Sequence, residues 1–154
     1  MRCRPAIVIM ENDHVLLMRY QFGSGMVYNF PGGNPDPGEI FTETIIRECR
    51  EELAVEVEVG KLLLMGEIPG KEDKKSALHI LFEGSIVSGI PILQAHETTA
   101  QEICWIPISQ LASLHLYPNV GVALQDLVFL QKKGEYVGAI QQPWWIRPYI
   151  RSKE

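Results

Sequence analysis

The chain has 154 residues, 46% of them apolar, and a formal net charge of −5, which suits one compact domain spanning 1–154 and leaves little room for a second. An acidic balance without a broad basic field argues against sequence-independent nucleic-acid binding, which depends on neutralising many phosphates. No membrane-spanning helix is indicated either, because no uninterrupted apolar run reaches the roughly 18 residues that one requires.

In chain order, Pro5 to Met10 and His14 to Tyr20 are apolar runs separated by Glu11-Asn12-Asp13. The polar trio is turn chemistry, so a β-hairpin is predicted, and it also cuts the first run too short for a signal peptide. A third strand is expected at Met26 to Phe30. The segment Pro31-Gly32-Gly33-Asn34-Pro35-Asp36-Pro37-Gly38 follows. Its prolines cannot donate to a ladder and its glycines permit close backbone approach, so it reads as a loop. From Phe41 the period turns helical, with Thr42, Ile45, Ile46, Cys49 and Leu53 at three-and-four spacing, Thr42 as the expected N-cap and an end near Ala54. Strand signals return at Glu56 to Met65 and Ala77 to Val87, joined by a charged loop through Lys71, Lys74 and Lys75. Glu102 to Ile106 reads as a short strand and Ser109 to Leu114 as a helical turn. Val120 to Gln131 reads as an amphipathic helix with Val122, Leu124, Leu127 and Leu130 inward. The stretch 136–154, with Trp144 and Trp145, is too irregular to assign. Hairpins, a helix, strands and a helix predict an α/β fold, a mixed β-sheet covered on both sides as an α/β/α sandwich.

The chemistry concentrates in the first helix. At 100° per residue Glu52 lies about 40° and Glu51 about 60° to either side of Glu48, so the three carboxylates share one sector bordering the Ile45, Cys49 and Leu53 stripe. Like charges so close raise one another's proton affinity, and a hard divalent cation, Mg²⁺ or Mn²⁺, is the natural partner because it takes oxygen ligands and bridges carboxylate to phosphate. Arg47, four residues from both Glu43 and Glu51, is placed to brace their rotamers. An acidic helix alone is usually a solvated face; here the Gly32-Gly33 loop and the Gly38-Glu39 turn lead straight into it, so main-chain groups can approach a metal or phosphate. Cys3, Cys49 and Cys104 form neither a disulfide framework nor a zinc cluster and fit a reducing, cytoplasmic setting; Cys49 and Cys104 read as small hydrophobes.

Taken together, Gly33, Glu39, and the run Arg47-Glu48-Cys49-Arg50-Glu51-Glu52-Leu53-Ala54-Val55 resemble the Nudix box, the loop-helix signature of Nudix hydrolases, with Pro31-Gly32-Gly33 ahead of it. Leu16 to Arg19 and Glu102 to Pro107 look like secondary features of the same family. The resemblance implies hydrolysis of a nucleoside diphosphate linked to a further group X by metal-activated water. It implies Glu48, Glu51 and Glu52 as metal-binding glutamates, the Gly33 carbonyl as an additional ligand, and Arg47 as the bracing arginine. Glu51 or Glu52 is the first choice as general base, with Glu97 or Glu102 in reserve. One departure is Ala54, where the box ends in glycine; a left-handed conformation there would cost about 1 kcal/mol.

Signals on the substrate side are weaker. Arg19, Tyr28 and Asn29 lie on strands leading to the loop and are the candidate contacts to base or phosphate. His14, His79, His96 and His115 show no zinc spacing. Trp144 and Trp145 stack on a base, close a homodimer or cover their own domain. Pro69, beyond the box, points faintly to the ADP-ribose group; nucleotide sugars and nucleoside triphosphates remain open. A catalytically silent nucleotide-binding regulatory module, or a metal-free protein-interaction helix, is the alternative class.

Overall fold

The computed structural model describes residues 1–132 and 134–142, so Trp144 and Trp145 lie outside the described residues. In chain order the elements are β1 (Arg2–Glu11), β2 (His14–Phe22), β3 (Gly25–Asn29), α1 (Phe41–Leu53), β4 (Glu56–Ile68), β5 (Ala77–Ser88) and β6 (Glu102–Pro107). A 3₁₀ helix (Ile108–Ser113), β7 (Leu116–Tyr117), α2 (Gly121–Phe129) and β8 (Glu135–Ala139) complete the order. Asn12 and Asp13 turn β1 into β2 with φ of 50° and 61°. These are residue types that tolerate the left-handed region, in a two-residue turn whose hand matches strand twist.

Past that corner the strands part. β1 runs parallel to β5, β5 antiparallel to β4, and β4 parallel to β8. β2 pairs antiparallel with both β3 and β6, and β3 takes β7 in parallel. The sheet is therefore mixed. Alternation along the central strands splits the core into two layers. Ala6, Val8, Val15 and Leu17 pack with Leu111 of the 3₁₀ helix and with Leu124 and Leu127 of α2. Ile7, Ile9, Leu16 and Met18 pack with Ile45, Cys49 and Leu53 of α1. Continuous apolar runs on β1 and β2 are thus explained by burial on both faces, and the expected α/β/α sandwich is what forms.

Several boundaries differ from expectation. The N-cap of α1 is Ile40, not Thr42: Glu43 reaches back to accept from the Ile40 N–H at 3.0 Å, the backbone half of a capping box. In α2 only Leu124 and Leu127 of the four named residues face inward, while Val122 is 61% and Leu130 62% exposed. Val122 stands about 200° around the helix from Leu124, and Leu130 falls beyond the last turn. β7 and β8 are absent from the sequence reading, because each is a short parallel edge whose formation depends on its partner strand and not on local alternation.

Ala54 closes α1 at φ 55°, ψ 36°, its N–H donating to the Arg50 carbonyl at 3.2 Å. The left-handed cap therefore forms despite the methyl group. Ala54→Gly is expected to stabilise the protein by about 0.5–1 kcal/mol in urea titration, relief of αL strain being partly offset by greater unfolded-chain entropy. An unchanged or lowered midpoint would contradict strain at this position.

Candidate active site

The site begins where the glycine loop crosses β1. Ile7 N–H donates to the Pro31 carbonyl at 2.9 Å and Gly33 N–H to the Pro5 carbonyl at 3.2 Å. A side chain at Gly32 would run into Pro5 and Ala6, and one at Gly33 would occupy the space of the Glu48 carboxylate. Glycine is required at 32, where the clash is with backbone; at 33 a side chain would displace the Glu48 carboxylate, which glycine lets lie against the Gly33 backbone.

Glu39 then ties loop to helix. Its carboxylate accepts from Asp36 N–H at 2.9 Å and from the Thr44 hydroxyl at 2.9 Å. It also takes both sides of the Arg47 fork, Nε at 2.6 Å and Nη2 at 3.0 Å. Arg47 in turn donates through Nη1 to Glu48 at 3.0 Å and Glu51 at 3.2 Å, and through Nη2 to the Asn34 carbonyl at 3.1 Å. All five of its N–H groups are used. The expected bracing of Glu51 is present, whereas Glu43 serves the helix cap and the principal partner is Glu39. The Arg47 guanidinium holds the Glu39 carboxyl down at about 2, with help from the Asp36 N–H.

Glu48, against this loop, and Glu52, one turn further along α1, are both partly buried. Burial raises the affinity of Glu48 for its proton, against the pull of Arg47. Burial, reinforced by the charges of Glu48 and Glu51, pushes Glu52 up to about 7. No donor reaches the Glu52 carboxylate among the described residues. Nor, among those residues, do three or more His, Cys, Asp or Glu side chains form a closed metal cage. The close trio expected from helix geometry is modified by Arg47, which takes one oxygen each from Glu48 and Glu51. The donor set still fits a hard cation: the Glu48 carboxylate lies on the Gly33 backbone, Glu52 is uncommitted, and Mg²⁺ keeps several waters and needs few protein oxygens.

On the other side of Gly33 a small pocket is lined by Arg4, Asn29, Phe30, Gly32, His79 and Tyr117, among others. Two polar atoms in it, Asn29 Oδ1 and His79 Nε2, are buried without a hydrogen-bond partner among the described residues. His79 is 2% exposed and meets the Tyr117 ring edge-on at 4.9 Å. Orphaned polar atoms in a pocket are groups that a ligand can satisfy.

Burial, with the charges of Arg4 and Arg2, lowers the His79 pKa to about 3. Its folded value thus lies below the unfolded value of about 6.5, so the unfolded chain binds more protons between the two. The stability that His79 contributes is complete above about pH 6.5 and is lost as pH falls toward 3. His79→Gln is expected to flatten this limb of the stability curve by a few kcal/mol in denaturant titrations across pH 7 to 3. A variant curve parallel to wild type would refute neutral burial.

Of the three candidate substrate residues, only Asn29 lines the pocket. Arg19 is turned to Glu102, with Nη2 at 2.7 Å and Nε at 2.9 Å, and Tyr28 packs toward the α2 side of the core. The Arg19 pairing also occupies Glu102. Glu97 stands on the exposed loop after β5, 3.6 Å from His96. Sequence reasoning missed Arg4, His79 and Tyr117, and read Glu39 only as a turn residue. The Glu39–Arg47 spacing carried a signal; nothing local to the others did, because β1, β5 and β7 meet only in the folded sheet. Cys49 is buried and its thiol is pushed up to about 12, chiefly by burial, in keeping with a core role.

A sandwich whose acidic helix and glycine-pinned loop border a polar pocket suits a hydrolase of acid anhydrides, and the comparisons with known proteins bear out that class. Residues 1–127 match the family model for the NUDIX domain, and the chain belongs to the NUDIX family, whose hydrolases generally use divalent metal ions and act on small nucleoside diphosphate substrates. It is 28% identical over 113 residues to a Bacillus subtilis (strain 168) protein named "Putative 8-oxo-dGTP diphosphatase", covering 73% of this chain and 70% of that one. Among solved structures, a NUDIX hydrolase from Nitrosomonas europaea superposes with a TM-score of 0.71 at 21% identity, covering 86% of this chain and 91% of that one. An ADP-ribose pyrophosphatase from Streptococcus suis 89-1591 superposes with a TM-score of 0.66 at 15% identity, covering 88% and 98%. Neighbours of one fold thus carry different names, and the fold does not select a substrate. No helix among the described residues is long and apolar enough to cross a membrane.

Proposed function

We propose that this protein cleaves the diphosphate linkage of a nucleoside diphosphate-X compound, with nucleoside triphosphates as the first class to test. The reading rests above all on the Glu48 carboxylate lying on the Gly33 backbone, which also lines a pocket with two orphaned polar atoms, with Glu52 one turn along α1. Likeness to the Bacillus subtilis relative supports the triphosphate class.

In this reading Glu48, Glu51, Glu52 and the Gly33 carbonyl hold Mg²⁺ or Mn²⁺. The ion, when bound, supplies charge neutralisation on the diphosphate and acidifies a water. Arg47 fixes the rotamers of Glu48 and Glu51 and locks the loop to the helix through Glu39. Glu52, to which no donor hydrogen-bonds among the described residues, accepts the proton of the attacking water. Asn29 Oδ1 takes a donor, and His79 Nε2, as donor or acceptor according to tautomer, satisfies a second polar group, from a small substituent of the substrate or a water at the pocket mouth. The test is a hydrolysis screen in Mg²⁺ over ADP-ribose, nucleotide sugars, dinucleoside polyphosphates and ordinary or oxidised nucleoside triphosphates, with products identified by mass. A nucleoside monophosphate and the matching phosphorylated or pyrophosphate product are expected; no cleavage across the panel rejects the proposal.

A further inference from the structure

The described arginines around this site divide sharply by partner. Arg47 is saturated, Arg19 is committed to Glu102, and Arg50 is held at both oxygens of Glu56 at 2.6 and 2.8 Å. Arg4 differs. Its side chain makes one long hydrogen bond, Nη1 to Asn34 Oδ1 at 3.3 Å, and no carboxylate pairs with it among the described residues. Its position is nonetheless fixed. It is paired in register with His79 on β5, and the next residue, Pro5, accepts the Gly33 N–H. Arg4 therefore lines the pocket next to Asn29 and His79 while its charge acts on Glu48 and Glu52 across the glycine loop.

A guanidinium so placed faces two needs at once. A substrate that offers a polar group at the mouth of this small pocket and whose scissile linkage reaches the carboxylates must carry a phosphate past the glycine loop, alongside Arg4. The acidic helix repels that phosphate. A planar fork with donors to spare is the side chain suited to hold it. We propose that Arg4 is a substrate-binding residue that clamps the phosphate lying between the pocket and the Glu48–Glu52 carboxylates. The assignment rests on the diphosphate-hydrolase reading above and adds to it a contact made by β1, outside the loop-helix motif.

The test uses inorganic pyrophosphate as probe, by isothermal titration in Mg²⁺, on the full chain and on Arg4→Ala, Arg4→Gln and Arg4→Lys. Arg2→Ala, at an exposed neighbouring position on the same strand, controls for loss of general positive field. Wild type is expected to bind pyrophosphate, with Ala and Gln weakening it about tenfold or more, Lys falling between, and Arg2→Ala within about twofold of wild type. Circular dichroism melts decide which of the two neutral variants is the folded comparator. Absence of pyrophosphate binding to wild type overturns the assignment. So does equal binding by the folded neutral variant, or an equal loss in Arg2→Ala. The substrate screen is scored separately: hydrolysis by wild type with unaltered pyrophosphate affinity in Arg4→Ala removes only Arg4, whereas a tenfold loss without any hydrolysis removes the enzymatic reading and leaves Arg4 as a phosphate contact.

Discussion

Glu52→Gln is expected to lower kcat by on the order of 10³-fold in saturating Mg²⁺ while leaving the fold intact. The substitution keeps side-chain shape and removes a carboxylate that no donor engages among the described residues, so proton acceptance is lost with little repacking. Stability should stay level or rise in metal-free buffer, since a half-buried group pressed by the like charges of Glu48 and Glu51 is replaced by a neutral one. Glu51→Gln is the informative comparison. Glu51 is 43% exposed and already paired with Arg47, so its loss should cost about tenfold. Steady-state kinetics of both variants, with thermal melts alongside, separates the roles. Wild-type turnover by Glu52→Gln, or a larger loss in Glu51→Gln, would move the base elsewhere on the helix.

How much of this was legible before the structure depends on where each contact originates. The layered fold was readable because β1 and β2 are apolar on successive residues, a pattern that only burial on both faces explains, and because α1 carries a clean three-and-four stripe. The carboxylate sector was readable for the same reason: positions along one helix fix their own relative directions. Arg47 was half readable. Its bond to Glu51 is a local helix pair, but its fork onto Glu39 needs the loop to fold back, which spacing suggests without specifying. The pocket was not readable. Asn29, His79 and Tyr117 are brought together by β3, β5 and β7, and the parallel pairings β1–β5 and β3–β7 leave no local trace in sequence. Arg19 shows the converse error: it lies on a strand that leads toward the loop, yet cross-strand register sets it opposite Glu102, and the ion pair follows from that register.

Arg47→Lys tests whether the hub orients the site or merely holds charge. Lysine keeps the positive charge but has three donors on a single nitrogen, so it cannot bridge Glu39, Glu48, Glu51 and the Asn34 carbonyl together. If the arginine acts by fixing carboxylate rotamers, kcat should fall about 10²-fold with KM within a fewfold of wild type; a KM rise with kcat preserved would instead make it a ligand for substrate. Arg47→Ala should add a structural penalty, lowering Tm by on the order of 5 °C near neutral pH, because Glu48 is left half-buried without its hydrogen-bonded cation. The pH dependence of that penalty carries a sign. Arg47 holds the Glu39 carboxyl at about 2, below its ordinary value near 4.5, so the stability gained from the pair is present above about pH 4.5 and drains away as pH falls toward 2. The gap between wild type and Arg47→Ala should therefore narrow across that interval in denaturant titrations. His79 destabilises both proteins in acid and drops out of the difference. A gap that stays constant from pH 6 to 2 would mean that the Glu39–Arg47 fork adds nothing to the folded state beyond what an exposed pair adds, and the loop would then owe its position to the glycine contacts with β1 alone.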